Sequence, residues 1–516
     1  MNKPEIKIGV KVQGGFGTVL VRANFLHCLY EYIDDADLKI YACGHISPKI
    51  NHAIFEDQPS IAWYSGEKNW NTLKANNDKS KEFALLFELD IYPKIVYVSD
   101  KVSISPKLAK LVEDWKAFRK DPANDLYYKK LRNSKPYEYS KLINLGRHIM
   151  NSADITGDLQ VGREYRMPVR IFIDEDQALE GFGLNGKKYI TLQRGINPKL
   201  GTNENNKLWP LAYFNELITK IKAEFPEYTI VQLGESAEHC ATLENVDVNL
   251  LGKTTWDDIK ILLKHSTLHI DGECGMVHLR KALHAGPSLV FFGPTPIDFF
   301  GYNGNFNLHT GVCRHWCAEL RDDWEYHCLK DLDKAPCMYS ITPDMAMDSI
   351  RDYLSAGDVS TVWNYVPEKK GSERLIEEYG EKISQDYIEN YLHTMEIYDY
   401  EIKEIPVSEL LVSVYNGRNW EWLPLEECPA YRYLSGEEDA YRKNMEQRQS
   451  LENNIHSCER FDELIKTIEE NGLTPEPMVL VSSSMKVKDG QHRAAIWMHK
   501  YGKDSTIPVL MLYMRE

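Results

Sequence analysis

The residues with the most chemistry to offer gather in one stretch, Asp271–Thr295, which reads DGECGMVHLRKALHAGPSLVFFGPT. Leu268–Asp271 has the pattern of a strand, Gly272-Glu273-Cys274-Gly275 that of a small-residue turn, and a helix is expected from Met276. A second apolar strand, Ser288–Phe292, runs into Gly293-Pro294-Thr295. A strand, a glycine turn and a helix start together aim backbone N–H groups at whatever sits above the strand end. The helix dipole adds partial positive charge there, so the natural guest is an anion such as a phosphate. Glu273 would repel a phosphate and better suits a neutral hydroxyl, such as one on a sugar. His278, one turn into the helix, could donate to a phosphate oxygen. The same residues also fit an ordinary βαβ turn with a satisfied core histidine, and the stretch alone does not choose.

The elements that must hold this turn form a repeated α/β pattern. Ile6–Val12 reads as a buried parallel strand, followed by Gly14-Gly15-Phe16-Gly17 and a helical stretch, Val19–Ile33. That is the opening of a doubly wound sheet. Leu38–Cys43 and Phe83–Leu89 are further strands. The latter delivers Asp90 to its carboxyl end, where a carboxylate points into the ligand crevice or else caps a helix. Residues 110–145, crowded with Tyr, Lys and Trp, read as helices over the crevice, and residues 151–168 as a crossing between domains. A second series follows. It comprises a strand at Tyr189–Gln193, a polar loop at Arg194–Asn206, and Lys207-Leu208-Trp209-Pro210 leading an amphipathic helix, Leu211–Phe225. A strand at Thr229–Leu233, the turn Gly252-Lys253-Thr254-Thr255 and a helix at Trp256–Lys264 complete it. The class is α/β, with two Rossmann-like sheets facing each other across a cleft.

A chain of 516 residues is long enough for about three domains. The expected division is 1–155, 156–356, a linker at 357–372, and 373–516. Lys+Arg 61 against Asp+Glu 77 gives a net charge of −16, which weighs against broad contact with nucleic acid or anionic membrane. No apolar run reaches the 18 residues of a spanning helix, so no transmembrane segment is expected. The N-terminal MNKPEIKIGVKV enters a strand without a signal-peptide pattern, so the expected compartment is the cytoplasm. Ten cysteines there point to thiols or metal rather than disulfides. Cys313, Cys317, Cys328 and Cys337 fall close together, with His315 and His327 among them. Four thiolates could close a tetrahedral structural site, although the C-x2-C pair of zinc fingers is missing; four reduced buried thiols are the alternative.

The order Lys-x-Trp-Pro, an Ile-Val-Gln-Leu-Gly strand, Gly-Lys-Thr, acid-x-Gly-x-x-His and Phe-Gly-Pro-Thr resembles the family-9 glycosyltransferases. These are the lipopolysaccharide heptosyltransferases and their autotransporter relatives. The resemblance spans residues 1–355 and is strongest over 189–300. It implies a GT-B fold and an inverting, metal-independent transfer from a nucleoside-diphosphate-sugar. Lys207 would contact a diphosphate oxygen, and Glu273 would hold donor-sugar hydroxyls in place of the family's usual Asp. Cys274, Gly275 and His278 would cradle the diphosphate, with Thr295, Gly15 and Gly17 lining the donor site. Where relatives carry the expected base, an Asp after the first-turn glycine, this chain has Thr18; Asp90 is the expected substitute. The autotransporter enzymes carry a four-cysteine iron-binding finger where Cys313–Cys337 stand, which implies structural Zn or Fe and no catalytic metal. The expected acceptor is a surface glycan or a protein, and homo-oligomers are possible. Alternatives are a phage-type transferase acting on modified DNA bases and a nucleotide-binding assembly module whose transferase site is dead.

Beyond the linker, Glu373–Met395 reads as helical, Pro477–Ser482 and Ile507–Leu512 as strands, and Ala494–Tyr501 as a helix. Asp489-Gly490-Gln491-His492-Arg493 opens that helix, a glycine turn with Arg and His at a helix start, again suited to an anion. This resembles the ParB/sulfiredoxin-like domain over residues 400–516. The resemblance implies an α+β fold with nucleotide phosphates bound by Asp489, Gly490, His492 and Arg493. Some such domains are phosphotransferases, for which Glu409 or Glu427 would be candidate bases; a degenerate domain used for assembly or acceptor docking is the alternative. Tyr431–Gly436 and the charged run after it read as a solvated helical face.

Overall fold

The structure is a computed structural model. It describes all residues except 1–2, 91, 122–146, 196–204, 237–239, 314–315, 319–323, 329, 331, 333, 357–370, 393–394, 396, 416–418, 438, 445–456 and 515–516. The chain divides into two compact units, Met1–Val312 with Trp316–Glu368, and Cys313–His315 with Lys369–Glu516. No helix among the described residues is long and apolar enough to cross a membrane.

The first unit contains two sheets. One is built from β1 (Glu5–Val12), β2 (Asp37–Gly44), β3 (Trp63–Gly66), β4 (Leu85–Leu89) and β5 (Pro93–Val98), in the order β3-β2-β1-β4-β5. Only β5 runs antiparallel to its neighbour. Ile8, Val10 and Val12 of β1 are fully buried, as is Leu89 of β4. Such central parallel strands are apolar because both faces of the sheet are covered. The other sheet is wholly parallel. It comprises β6 (Tyr189–Leu192), β7 (Thr229–Gln232), β8 (Val248–Asn249), β9 (Leu268–Gly272), β10 (Ser288–Phe291) and β11 (Phe306–Leu308), in the order β11-β10-β9-β6-β7-β8. The strand order reverses between β1 and β4 in one sheet and between β6 and β9 in the other. Those reversal points open crevices at the strands' carboxyl ends.

The helix Phe16–Tyr32 follows β1 and is buried along most of its length. The crossing segment is anchored to it: Arg22, itself buried, donates to the Ile149 carbonyl at 3.1 Å and to Ser152 Oγ at 3.1 Å. In the second sheet, Trp209 stacks on Phe291 with centroids 4.0 Å apart, and its Nε1 donates to the Ile341 carbonyl at 2.8 Å. Thr255 caps the helix Trp256–His265 through a reciprocal box with Asp258. Of the residues expected to form helices over the crevice, the helix Pro106–Lys120 is present, and 122–146 lie outside the described residues.

The two sheets meet through their glycine turns. A Cβ on Gly17 would fall 2.4 Å from His278 Cδ2, and one on Gly275 would fall 2.8 Å from Phe16 Cδ1 and 3.3 Å from the Gly17 nitrogen. Phe16 also stacks on Trp256 at 4.3 Å. Only glycine permits this approach of two helix starts.

The second unit has a four-stranded sheet, β12-β17-β15-β16, and a hairpin, β13-β14. Its strands are β12 (Ile397–Pro406), β13 (Leu411–Tyr415), β14 (Trp420–Pro424), β15 (Val479–Ser482), β16 (Val487–Asp489) and β17 (Thr506–Met514). Three expectations are corrected here. The helix expected over 373–395 is broken: Gly371–Tyr379 is helical, Gly380–Lys382 is a single 3-10 turn, and Gln385–Asn390 is a separate short helix. Gly380 is a poor helix former, and Ser384 favours a new helix start. Gly371, read as linker, begins a helix, while 357–370 lie outside the described residues. The last helix starts at Gln491 rather than Ala494, because Gly490 at φ +85° turns the chain directly out of β16. The Pro429–Leu434 helix carries an exposed Arg432–Glu437 ion pair, as befits a solvated face.

The glycine contact makes a paired prediction. Gly275→Ala should lower stability by about 1–3 kcal/mol, because its methyl meets Phe16 and backbone. Gly15→Ala should be close to neutral, because nothing lies within 4 Å of its added methyl. Urea unfolding midpoints of the two variants test this; equal shifts would refute the close-approach account.

Candidate functional site

Lys207 leaves the loop after β6, and Glu273 leaves the turn after β9, the two strands at the reversal point. The Lys207 backbone is fixed from both sides. Asn205 Oδ1 accepts from its N–H at 2.8 Å, and two residues on, the Trp209 carbonyl accepts from Arg194 Nε at 2.9 Å. Lys207 Nζ donates to Glu273 Oε2 at 2.7 Å, and His278 Nε2 stands 3.8 Å from the other carboxylate oxygen. The side chains are 20% and 9% exposed for Lys207 and Glu273. Burial acts to raise the Glu273 pKa, but Lys207 and His278 outweigh it and hold the carboxyl down at about 2. Burial likewise opposes the Lys207 ammonium, and Glu273 outweighs it, so that pKa lies above its usual value. The expected repulsion between Glu273 and a phosphate is therefore offset within the cluster, because the acid is already paired with two potential phosphate ligands.

The turn that carries Glu273 is held from beneath. Asp271, fully buried, accepts from the Gly272 N–H at 2.7 Å and from the Cys274 thiol at 2.8 Å, and lies 3.3 Å from His269 Nε2. Thr191 Oγ1 of β6 meets the other nitrogen of His269 at 3.1 Å, so the chain of contacts spans both strands. Burial, then Asp271, push the Cys274 thiol well above its ordinary pKa, so it stays a donor rather than a thiolate. Cys274 occupies the N-cap position of the helix Gly275–Ala282.

The structure thus brings together Lys207, Glu273, Cys274, Gly275, His278 and, from the first sheet, Gly17. Gly15 stands at the N-cap of its helix in open space, away from this contact. Thr295 is buried in the turn after β10. Asp90 sits immediately beyond β4 and is partly exposed. Its neighbour Leu89 accepts from the Gln13 N–H at 3.2 Å, which puts Asp90 beside the first glycine turn at the reversal point of that sheet. Thr18 packs against Gly14, whose φ is +119°. Sequence reasoning missed three buried side-chain atoms around the β6–β9 crevice that lack a hydrogen-bond partner: Gln193 Oε1, Asn205 Nδ2 and Ser236 Oγ. Gln193 directly follows β6, Asn205 lies two residues before Lys207, and Ser236 lies four residues beyond β7; no local pattern marks them as unsatisfied.

Cys337 is buried with its thiol near the Gly293 turn, and the Cys317 N–H donates to the Pro294 carbonyl at 2.9 Å. Among the described residues, no group of three or more His, Cys, Asp or Glu side chains is arranged to hold a metal ion. His315 lies outside the described residues. In the second unit, His492 Nε2 is 2.8 Å from Tyr441 Oη and its ring lies 4.7 Å from Phe461. Arg493 donates to the Thr474 carbonyl at 3.1 Å, and burial raises the Asp489 carboxyl above its usual pKa.

Residues 174–328 match the sequence model of glycosyltransferase family 9 (heptosyltransferase), a span that contains Lys207, Glu273 and His278. This stretch is thus similar to the family-9 glycosyltransferases. The first unit holds two doubly wound α/β sheets. Among solved structures, a family-9 glycosyltransferase from Veillonella parvula is 15% identical with a TM-score of 0.44, covering 69% of this chain and 99% of its own. The ADP-heptose lipopolysaccharide heptosyltransferase II of E. coli is 15% identical at a TM-score of 0.42, covering 68% and 99%. The iron-containing dodecameric glycosyltransferase TibC of enterotoxigenic E. coli is 12% identical at 0.43, covering 69% and 81%. A comparison with curated proteins gives no match.

The Lys207–Glu273 ion pair predicts a pH signature. The Glu273 pKa is lower in the folded protein than its ordinary 4.5, so the stability it adds is present above pH 4.5 and is lost as pH falls towards 2. Glu273→Gln should therefore melt below wild type at neutral pH, and the gap should close between pH 4.5 and the lowest pH at which the fold survives. A gap that stays constant over that range would disprove the pairing.

Proposed function

We propose that the family-9 domain transfers a sugar from a nucleoside-diphosphate-sugar to a hydroxyl acceptor on a surface glycan or protein, with inversion and without a catalytic metal. The observation that carries this reading is the Lys207–Glu273–His278 cluster at the start of the Gly275–Ala282 helix. The donor diphosphate would meet the Lys207 ammonium, His278 Nε2 and the first N–H groups of that helix. Glu273, released from Lys207, would accept from hydroxyls of the donor sugar. As the anomeric C–O bond breaks, its electrons leave with the diphosphate, and these three groups stabilise the developing negative charge. The acceptor oxygen forms its new bond from the opposite face of the sugar and gives its proton to a carboxylate. We assign that role to Asp90, because Thr18 cannot act as a base near neutral pH and Asp90 ends the strand adjacent to the first glycine turn.

The net charge of −16 argues against DNA as the acceptor. In the second unit, the left-handed Gly490 before a helix start supports nucleotide binding at Asp489–Arg493, with a ParB-like domain as the structural reading. A phosphotransferase activity there is a further proposal.

A panel of nucleoside-diphosphate-sugars, ADP-heptose among them, screened by thermal shift should yield one donor that stabilises the protein by about 2.7 kcal/mol at a concentration 100 times its Kd. Glu273→Ala should abolish transfer from that donor. Asp90→Asn should leave donor binding intact and lower transfer by roughly 10²-fold or more. No turnover by wild type with a donor that binds would end the enzyme reading, and an unchanged rate in Asp90→Asn would remove that residue from the role.

A further inference from the structure

The transfer outlined above uses one nitrogen of His278, yet the other is held just as closely. Tyr302 comes from the segment between the helix Ile297–Phe300 and β11, and its Oη lies 2.6 Å from His278 Nδ1. The two rings meet edge to face, with centroids 5.4 Å apart at 85°. Tyr302 is 1% exposed and His278 is 5% exposed, so water does not compete for this contact. Two other groups reach the same hydroxyl: Tyr165 Oη at 3.3 Å and Met150 Sδ at 3.5 Å.

The Tyr302 hydroxyl has one hydrogen to donate, and His278 Nδ1 and Met150 Sδ both lie within its reach. An imidazole nitrogen is a much stronger acceptor than a thioether, so the Tyr302 O–H points at Nδ1. The buried Tyr165 O–H then donates to the Tyr302 oxygen. With Nδ1 accepting, the ring hydrogen resides on Nε2, the nitrogen that faces Glu273 Oε1 at 3.8 Å. A carboxylate on that side favours the same tautomer. The ring cannot turn away, because Gly17 leaves no room for even a methyl beside Cδ2.

We propose that Tyr302 is a positioning residue for sugar transfer: its hydroxyl fixes His278 with the proton on Nε2, aimed at the leaving diphosphate. This rests on the transfer reading above. A histidine donating from Nδ1 would instead present a lone pair to the phosphate, which repels it. Burial, then the neighbouring Tyr165, hold the Tyr302 phenol well above its ordinary pKa, so the hydroxyl keeps its proton. The remaining titratable neighbours are compatible with this. Lys207 is engaged with Glu273, the Lys281 amine lies 6.0 Å over the Tyr302 ring, and burial keeps His148, edge-on to Tyr302, neutral.

The test uses the full chain labelled with 15N-histidine, recorded without donor, with the His278 resonances identified by their loss in His278→Gln. Wild type near neutral pH should show an unprotonated Nδ1 and a protonated Nε2; a protonated Nδ1 overturns the proposal by itself. Tyr302→Phe should give a mixture of tautomers and lower kcat for transfer about tenfold, the value of one hydrogen bond. Tyr165→Phe should leave the tautomer unchanged. A Tyr302→Phe protein with wild-type tautomer and rate also overturns the proposal. If Tyr302→Phe does not fold, the wild-type spectrum still decides. A wild type that turns over no donor overturns the transfer reading, and the donor-free spectrum keeps that failure distinct.

Discussion

The arrangement of the first unit depends on the ion pair between Lys207 and Glu273. Two opposite charges sit at the reversal point of a parallel sheet, largely removed from water. Removing either partner would leave the other charge buried and unpaired, so each holds the other in one place. A cation held in this way is set to receive a second anion, because its partner can turn to another ligand. The pair must then be supported on both sides, and it is. Asn205 and Trp209 fix the lysine's backbone, while Asp271, His269 and Thr191 tie the carboxylate's turn to the neighbouring strand.

The second constraint is steric. Gly17 and Gly275 let two helix starts from different sheets touch, and His278 lies between them. Both helices direct their N-terminal ends towards the same region, so their dipoles add partial positive charge there. The contact thus combines two features, close packing of the sheets and a region of positive potential. A larger residue at either glycine would weaken both.

Much of this arrangement was legible in the chain, because strand ends, glycine turns and the Thr255 cap obey local rules. The strands β1, β6, β7, β9 and β10 fall within a residue or two of their expected limits. What was not legible is long-range. Glu273 stood out as an acid in a phosphate-friendly turn, but its pairing with Lys207 depends on β6 lying beside β9, which no local pattern states. Tyr302 carries no motif at all; only the fold shows that its hydroxyl meets His278. In the second unit, β12 and the β13–β14 hairpin escaped notice, since Ile397–Pro406 alternates charged and apolar residues near a stretch that reads as helical.

The absence of an acid at Thr18 follows from the same geometry. Gly14 is in a left-handed conformation, and Thr18 packs directly against it, so the turn closes tightly over this side chain. A base must reach the acceptor from the first sheet's crevice, and that crevice has two strand ends flanking it, β1 and β4. If the turn after β1 is committed to packing against the second sheet, the remaining position is the end of β4, where Asp90 stands. Moving a carboxylate from one flank of the crevice to the other keeps it on the side opposite the diphosphate. It also alters the direction from which an acceptor hydroxyl must approach. In the proposed transfer, a base at Asp90 instead of the position of Thr18 would therefore go with a differently placed acceptor.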